Sequence, residues 1–292
     1  MEESTAIGSR WVTSMRTFEL GARPLVMAII NVTPDSFSDG GTYLELDSAI
    51  AAAEKALEEG ADILDIGGES TRPGSARVFE EEEIARVIPL VEDLSKRFDA
   101  PISVDTSKRA VAERALDAGA AIINDVSGLR YEPGIAGVAA RTGAGLVLMH
   151  SRGAFEEMHS LEPVQDIRTE VVSELRKSLN LATSAGVEID QICLDVGIGF
   201  GKSFGQNLEL IDSLGSVKND LGGLPMLIGV SRKSFIGKIL DDAPVQKRLY
   251  GTLAANALAV VSGADVIRVH DVKPHSDLIK VLSAVRGRDS GR

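Results

Sequence analysis

Short apolar runs alternate with longer amphipathic stretches along the chain, and the alternation repeats eight times. The runs are rich in β-branched residues and are interpreted as strands at 26–30, 62–66, 102–104, 121–123, 146–149, 192–194, 226–228 and 266–269. Strands that are apolar on both faces are typical of a parallel sheet covered by helices. The patterns between them predict helices at 47–59, 80–97, 108–118, 135–141, 167–185, 207–214, 247–261 and 274–285.

Four of the predicted strands are preceded by the same short phrase, in which a glycine follows the helix: Gly60, Gly119, Gly143 and Gly263. Glycine adopts the left-handed conformation that ends a helix and turns the chain into the next strand. Strict alternation without a linker predicts a single α/β domain, a (β/α)₈ TIM barrel over residues 25–287. An open flavodoxin-like or Rossmann sheet is the alternative.

Residues 1–24 are expected to form an N-terminal extension. Within it, residues 11–20 alternate like a short strand or hairpin, which is a candidate plug for the bottom of the barrel. Residues 1–10 and the polar end of the chain, including a tail at 288–292, are expected to be frayed.

Composition narrows the class of protein. A net charge of -12 argues against a nucleic-acid-binding protein, because such proteins hold phosphate backbones with basic patches. Cys193 is the one cysteine and lies in an apolar run, so we expect a buried structural thiol and a reducing compartment. The sequence has neither a secretion-signal pattern nor an apolar stretch of membrane-spanning length, which predicts a cytoplasmic protein.

Polar side chains end the predicted strands, where the functional groups of a barrel lie. They are Asn31, Asp65, Asp105, Asn124 with Asp125, Met149 with His150, Asp195, Ser231 to Lys233, and Arg268 with His270. A single residue such as Asp125 is explained equally well as a cap of the following helix. Together, the set predicts a pocket with several converging donors and acceptors.

Part of this pocket is predicted to bind an anion. Ser231 to Ser234 follow the seventh strand and open a helix, so we expect their N–H groups and two cations to face the same point. Arg268 and His270 are expected to add a second anion contact. No cluster of His, Cys or carboxylates has the spacing of a metal cage, so a divalent ion would arrive with substrate phosphates.

The other part is predicted to bind a flat ring. Asp105, Asp195 and Asn124 offer acceptors and an amide to a heterocycle, and either the ligand or Lys233 is expected to satisfy the carboxylates. Phe200 lies in a glycine-rich loop that lacks nucleotide-binding spacing and could cover the ring. Two loops at 31–41 and 67–74 have the composition either of mobile connections or of a lid.

Eight blocks of the sequence resemble, in order, those of the dihydropteroate synthase family. They are NVTPDSFSDGG, DIGGESTRPG, ISVDTSK, INDVSG, LMH, LD-x-G-x-GFGK, GVSRKSFIG and IRVHDVK, and they run from residue 27 to residue 273. The resemblance implies condensation of (7,8-dihydropterin-6-yl)methyl diphosphate with 4-aminobenzoate in tetrahydrofolate biosynthesis. It also implies a TIM barrel, a Mg²⁺ cofactor, inhibition by sulfonamides and a homodimer formed through the later helices.

The resemblance assigns roles to individual residues. The pterin would be held by Asp105, Asn124, Asp195 and Lys233, in a slot shaped by Met149, Val126, Phe200 and Gly229. The diphosphate would be held by Asn31, Arg72, Arg268 and His270, with Asn31 also on Mg²⁺. The aminobenzoate, or a sulfonamide in its place, would be surrounded by Phe37, Thr71, Pro73 and Ser234. The chemistry would depend on Asp105, Lys233 and Asn31.

Small departures from the family pattern accompany the resemblance. Val196 replaces the usual proline, Ile198 replaces an aromatic residue, and Ser151-Arg152-Gly153 follows His150. We expect Val196 to loosen one loop without removing a chemical group. The alternatives are a methyltetrahydrofolate-dependent methyltransferase on a related barrel and a non-catalytic pterin-binding paralogue. The first would lack an anion site, and the second would be expected to have lost Lys233, Arg268 or Asn31.

Overall fold

A computed structural model describes residues 8–32, 42–70, 75, 77–154, 157 and 161–287. An antiparallel hairpin of β1 (Arg10–Val12) and β2 (Thr17–Glu19) precedes a closed barrel of eight parallel strands. The barrel strands are β3 (Leu25–Asn31), β4 (Ile63–Gly67), β5 (Ile102–Asp105), β6 (Ile122–Asp125), β7 (Gly145–Met149), β8 (Ile192–Asp195), β9 (Met226–Ile228) and β10 (Val266–Val269), with β10 closing on β3. The predicted barrel is therefore confirmed, and the open-sheet alternative is wrong.

Helices follow the strands around the outside of the barrel. They are α1 (Thr42–Glu58), α2 (Glu80–Arg97), α3 (Arg109–Asp117), α4 (Gly134–Thr142), α5 (Ile167–Ser184), α6 (Phe204–Asp212), α7 (Leu214–Asp220), α8 (Ser234–Ile239), α9 (Leu249–Val261) and α10 (Val272–Val285). None of the described helices is long and apolar enough to cross a membrane.

The predicted helix at 207–214 is wrong in its bounds, because two helices occupy this region. The Ser203 hydroxyl accepts a hydrogen bond from the Gln206 N–H, and the Gln206 side chain accepts one from the Ser203 N–H. This capping box starts α6 three residues earlier than expected. Ser213 leaves helical geometry and separates α6 from α7. Helix α8 was predicted only as a helix start, since six residues are too few to show a hydrophobic period.

Helix α2 shows how the sequence determines a helix and its orientation. Four acidic residues occupy its first turn and two basic residues its last, matching the helix dipole. Its buried side chains include Val87, Leu90, Val91 and Leu94, which recur at helical spacing and pack against the barrel. Glu83 lies in the first turn of α2 and is also buried. It belongs to a charge cluster beside the site described below.

Two apolar clusters lie on the two sides of the barrel wall. The larger one fills the space between strands and helices, and includes Leu64 and Ile66 of β4. The smaller one fills the lower part of the barrel interior and includes Met27, Ile63 and Cys193. Successive side chains of a strand point to opposite faces, so residues two and four positions after Ile63, which are Asp65 and Gly67, again face the interior and approach the mouth.

The N-terminal hairpin closes the bottom of the barrel, as predicted. Trp11 is fully buried within the interior cluster and its ring stacks on Phe18, with centroids 5.9 Å apart. The indole Nε1 donates a hydrogen bond of 2.9 Å to the carbonyl of Gln191, just before β8. Cys193 is buried beneath it, and burial raises the pKa of its thiol, which agrees with a structural role. Residues 1–7 and 288–292 lie outside the described residues.

Candidate active site

The carboxyl ends of three adjacent strands bring Asn31 and Asp105 to opposite sides of Gly67. In the strand register, Gly67 of β4 pairs with Asn31 of β3 on one side and with Asp105 of β5 on the other. A Cβ atom on Gly67 would lie 3.7 Å from Asn31 Oδ1 and 3.7 Å from Asp105 Cβ. Gly67 thus leaves open the space between an amide oxygen and a carboxylate at the mouth of the barrel.

Arg268 of β10 joins two carboxylates across the barrel. Its Nε donates to Asp65 Oδ2 at 2.6 Å, and its Nη2 donates to Asp105 Oδ2 at 2.7 Å. Burial by itself would lower the pKa of Arg268, but the charges of Asp65 and Asp105 outweigh it and raise that pKa. The sequence predicts that either the ligand or Lys233 satisfies the Asp105 carboxylate. In the structure, the cation that pairs with Asp105 is Arg268 rather than Lys233.

Asp65 also organises Asn124 of β6. The Nδ2 atom of Asn124 lies 3.2 Å from Asp65 Oδ2 and 3.4 Å from Asp65 Oδ1, and both residues are buried. With its Nδ2 turned toward Asp65, the amide has its carbonyl oxygen available for a donor such as a ring N–H. The resemblance gave Asp65 no role, although a carboxylate in the apolar run of β4 was a signal that it needed a buried partner.

The pKa of Asp105 lies close to neutral pH. Burial raises its pKa to about 7, the charge of Arg268 opposes this rise, and the charge of Asp65 adds to it. A carboxyl group balanced in this way can be ionised near neutral pH, while remaining largely shielded from water. Such a group can stabilise positive charge that develops beside it.

Lys233 and Phe200 form the opposite side of the site. The Lys233 ammonium lies over the Phe200 ring, 4.6 Å from its centroid, and donates a hydrogen bond to the carbonyl of Ile198. Burial lowers the pKa of Lys233 to about 8, although the charge of Asp195 opposes this fall. Burial raises the pKa of Asp195, and the charge of Lys233 opposes that rise. The two groups therefore stabilise each other's charged forms in a buried setting.

The turn after β8 brings its backbone against the end of β7. Asp195 Oδ1 accepts a hydrogen bond of 2.7 Å from the N–H of Gly197. Gly197 has a φ of +68°, and a Cβ there would lie 1.8 Å from the carbonyl oxygen of His150, so only glycine fits. Lys202 Nζ donates to the same carbonyl at 2.8 Å. Burial, followed by the charge of Lys202, lowers the pKa of His150 to about 2, which keeps the imidazole neutral.

The region after β9 differs from its prediction. Arg232 and Lys233 do not face one point, because Arg232 pairs with Asp271 at 2.5 Å while Lys233 turns toward Phe200. Ser231 Oγ lies 2.9 Å from His270 Nδ1 and accepts the His270 N–H at 3.2 Å. Anion binding at the ends of β9 and β10 would therefore depend on Lys233, His270 and Arg268 rather than on Arg232 and Lys233 side by side.

A buried charge cluster lies beside the site and was missed at the sequence level. Lys108 follows Asp105 closely in the chain, and its Nζ donates to Glu69 Oε2 at 3.0 Å and to Glu83 of α2. Glu69 Oε1 in turn accepts the N–H of Val78 at 2.6 Å. Burial raises the pKa of Glu83, and its hydrogen bond with Lys108 opposes this rise. The cluster links the ends of β4 and β5 to α2, a contact that spacing along the sequence does not reveal.

The structure places most of the predicted site residues around the barrel mouth. Asn31, Asp105, Asn124, Arg268 and the pair Lys233 with Asp195 are brought together as described above. Asp125 is different: it is fully buried and accepts the N–H groups of Ser127 and Leu129, so it stabilises the turn after β6 and not, as its capping interpretation had it, the start of the following helix α4. Among the predicted wall and rim residues, Met149 is buried, Ser234 is exposed, and the other three are partly buried: Val126, Phe200 and Gly229. Four predicted residues lie outside the described residues: Phe37, Thr71, Arg72 and Pro73.

The donor set at the mouth fits a weakly held magnesium ion. Asn31 and Asp105 present hard oxygen atoms on either side of Gly67. Within the described ranges, no three His, Cys, Asp or Glu side chains form a metal-binding group. Mg²⁺ retains several waters and binds through one or two protein oxygens together with substrate phosphates. A sparse set of oxygen donors beside an anion site satisfies that requirement.

Comparison with known proteins gives a consistent result. Residues 27–270 match the family described as pterin binding enzyme. The dihydropteroate synthase of Synechocystis sp. is 45% identical over 268 residues, which cover 92% of each chain. The structure of Yersinia pestis dihydropteroate synthase in a sulfonamide drug complex matches with a TM-score of 0.88 and 42% identity, covering 95% of this chain and 99% of that chain. The Xanthomonas albilineans enzyme with 4-aminobenzoic acid matches with a TM-score of 0.88 and 42% identity, covering 96% and 98%.

Proposed function

The chain belongs to the dihydropteroate synthase family of pterin-binding enzymes, and we propose that it joins (7,8-dihydropterin-6-yl)methyl diphosphate to 4-aminobenzoate. The products are 7,8-dihydropteroate and diphosphate, so the transferase moves an alkyl group other than methyl. The observation that carries the proposal is the convergence of Asp105, Asn124 and Arg268 at one mouth of the barrel.

The pterin fits the buried polar groups of this mouth. Asp105 and Asp195 supply acceptors for the N–H groups of the ring, and Asn124 supplies an amide that Asp65 orients. Lys233 supplies a donor at the opposite side, where it lies over Phe200. A flat ring with alternating donors and acceptors would satisfy groups that are otherwise costly to bury. Met149, Val126 and Gly229 would form the walls of its slot.

The reaction breaks the bond between the pterin methylene carbon and the bridging oxygen of the diphosphate. The electron pair leaves with the diphosphate, which Arg268 and His270 would hold, with Arg72 assisting. The positive charge on the methylene group is conjugated with the ring and lies near Asp105, whose carboxylate would stabilise it. The aniline nitrogen of 4-aminobenzoate then attacks this carbon, which forms the new C–N bond, and the nitrogen releases a proton to solvent. No enzyme nucleophile is needed, so no covalent enzyme intermediate forms.

A magnesium ion is part of the proposal. Asn31, whose Oδ1 borders the space beside Gly67 at the mouth, would hold it together with the diphosphate. When bound, Mg²⁺ neutralises the leaving diphosphate and so makes it a better leaving group.

The second substrate would enter from the rim. Phe37, Thr71, Pro73 and the exposed Ser234 would surround 4-aminobenzoate, and a sulfonamide would compete for this position. The proposal is supported by relatives of this family that bind a sulfonamide drug or 4-aminobenzoic acid.

We further propose a cytoplasmic homodimer. Apolar side chains on α9 and α10 are exposed to solvent: Leu258, Val261, Val281 and Val285. Exposed apolar side chains of this kind are candidates for a contact between two copies of the chain. Sedimentation of the purified protein would distinguish a dimer from a monomer.

Product analysis tests the function against its closest rival. The purified protein is incubated with pterin-methyl diphosphate and 4-aminobenzoate, and separately with methyltetrahydrofolate and a thiol acceptor. We expect 7,8-dihydropteroate by mass spectrometry in the first mixture and no methyl loss in the second. Methyl transfer without dihydropteroate would support the methyltransferase alternative instead.

A further inference from the structure

The two carboxylates that bind Arg268 occupy different depths of the barrel. Asp65 pairs in register with Ile29 and Ser103, whereas Asp105 lies one interior position higher, beside Gly67. The side chain of Asp65 is fully buried, while that of Asp105 is 14% exposed and borders the mouth. A ligand that enters the mouth therefore reaches the Asp105 contact first.

The bonds of Arg268 divide in the same way. Its Nε, close to the backbone, binds the deep carboxylate, and its terminal Nη2 binds the shallow one. The guanidinium is a fixed planar fork with separate donors, so Nη2 can donate to a new acceptor in place of Asp105 while Nε keeps its bond to Asp65. A buried carboxylate that lost its cation would be strongly destabilising, so the Asp65 bond resists exchange more than the Asp105 bond.

We propose that Asp65 is a positioning residue that anchors Arg268 by Nε, while the Nη2 bond to Asp105 is exchanged for the substrate diphosphate. The inference rests on the proposed function, because it concerns the same anion site. When the diphosphate replaces Asp105 at Nη2, it gains a donor that Asp65 holds in position. Asp105 is released from Arg268 at the same time. Asp105 can then face the methylene carbon as positive charge develops on it.

A simple field effect predicts a different outcome, which makes the inference testable. Asp65 and Asp105 are both negative and both near the anion site, so neutralising either one should attract an anion more strongly. If Asp65 acts by holding Arg268, its neutralisation should weaken anion binding instead. Neutralising Asp105 removes the competing acceptor and should strengthen it.

The experiment measures binding of inorganic diphosphate, with Mg²⁺ present, by calorimetry to the wild-type chain, Asp65→Asn and Asp105→Asn. We expect the affinity to fall about tenfold in Asp65→Asn, since a bond between charged groups is lost from the arginine anchor. We expect it to rise in Asp105→Asn. Tighter binding by both variants, or an unchanged affinity in Asp65→Asn, would overturn the inference. Thermal melting of each variant shows that it is folded.

A double-mutant cycle identifies the path of the effect. In an Arg268→Gln background, Asp65→Asn should cause little further loss, because both changes act on the same guanidinium. Independent losses that add would overturn the role of Asp65 as the anchor. If Asp65→Asn does not fold, Arg268→Lys replaces it, since a lysine cannot bind Asp65 and diphosphate through separate forked donors. A wild-type diphosphate affinity in Arg268→Lys would also overturn the inference.

These binding measurements do not require turnover. Diphosphate affinity that falls in Asp65→Asn and rises in Asp105→Asn, in a protein that makes no dihydropteroate, would refute the proposed function. It would leave the anchoring role of Asp65 standing. Diphosphate affinity that changes in the same direction in both variants, in a protein that makes dihydropteroate, would support the function and refute the anchoring role of Asp65.

Discussion

The ammonium nitrogen of Lys233 lies over the ring of Phe200 at the mouth of the barrel, 4.6 Å from the ring centroid. The lysine comes from the turn after β9 and the phenylalanine from the glycine-rich turn after β8. Their contact holds a cation and an aromatic face at one side of the space that Asp105 and Asn124 border from the other strands. A flat ligand would therefore meet a polar edge and an aromatic surface in the same pocket.

Replacing Lys233 with alanine should weaken binding of the pterin substrate. Lys233 offers a charged donor, and loss of a hydrogen bond to a charged group costs about 1.5–3 kcal/mol, or about tenfold to a hundredfold in affinity. Calorimetric titration with pterin-methyl diphosphate measures this loss. The exposed Lys238 is a matched control, and Lys238→Ala should bind as the wild type does. An unchanged affinity in Lys233→Ala would remove this residue from the pocket.

Changing Asp105 to asparagine should lower turnover while preserving the fold. The amide keeps the size of the side chain but cannot stabilise a developing positive charge, and loss of one preorganised group costs about 10²- to 10³-fold in kcat. Steady-state assays measure kcat, and circular dichroism verifies the fold. Asp99→Asn changes an exposed carboxyl in the same way and should leave kcat unaltered. Near-normal turnover in Asp105→Asn would exclude the proposed role of this carboxylate.

The pH dependence of kcat/KM should have two limbs. Burial raises the pKa of Asp105 to about 7, so lowering the pH through that value protonates the carboxylate and lowers the rate. Burial lowers the pKa of Lys233 to about 8, so raising the pH through that value removes the charged donor and also lowers the rate. The profile should therefore be highest between the two values. Asp105→Asn should lose the acidic limb, and a wild-type profile flat from acid to alkaline pH would contradict both assignments.

Replacing Lys108 with methionine should destabilise the protein. Glu83 and Glu69 would lose their cation, and breaking a buried ion pair by removing one partner costs about 3–5 kcal/mol. Denaturant unfolding measures this change in the free energy of unfolding. Adding Glu83→Gln should recover part of the loss, because it removes the charge left unpaired.

Lys177→Met is the matched surface control for this measurement. Lys177 pairs with Glu174 but is 66% exposed, so its removal should cost under about 1 kcal/mol. Equal losses in Lys108→Met and Lys177→Met would show that burial of the cluster has little effect on stability.

The sequence predicted the barrel well because hydrophobic periodicity is a local property. The strand ends at Asn31, Asp105, Asn124 and Asp195 could be identified one by one, and the closed topology brought them together. The division between α6 and α7 could not be predicted, because it depends on the backbone geometry of Ser213 rather than on periodicity.

The contacts within the site depend on depth in the barrel and on side-chain direction. The pairing of Arg268 with Asp65 joins residues that are distant in the chain, and its sequence signal was only an unexplained carboxylate in an apolar strand. Arg232 and Lys233 are neighbours in sequence, yet they diverge because Arg232 has a φ of +57° and pairs with Asp271. Such relationships follow from tertiary packing, and spacing along the chain does not encode them.

The most direct measurement of the central claim is the stoichiometry of the reaction. Purified protein is given pterin-methyl diphosphate and 4-aminobenzoate, with Mg²⁺ or with a chelator, and both products are quantified over time. We expect 7,8-dihydropteroate and diphosphate to form in equal amounts with Mg²⁺, and their formation to stop with the chelator. Folded protein that forms no dihydropteroate in the presence of Mg²⁺ would contradict the claim.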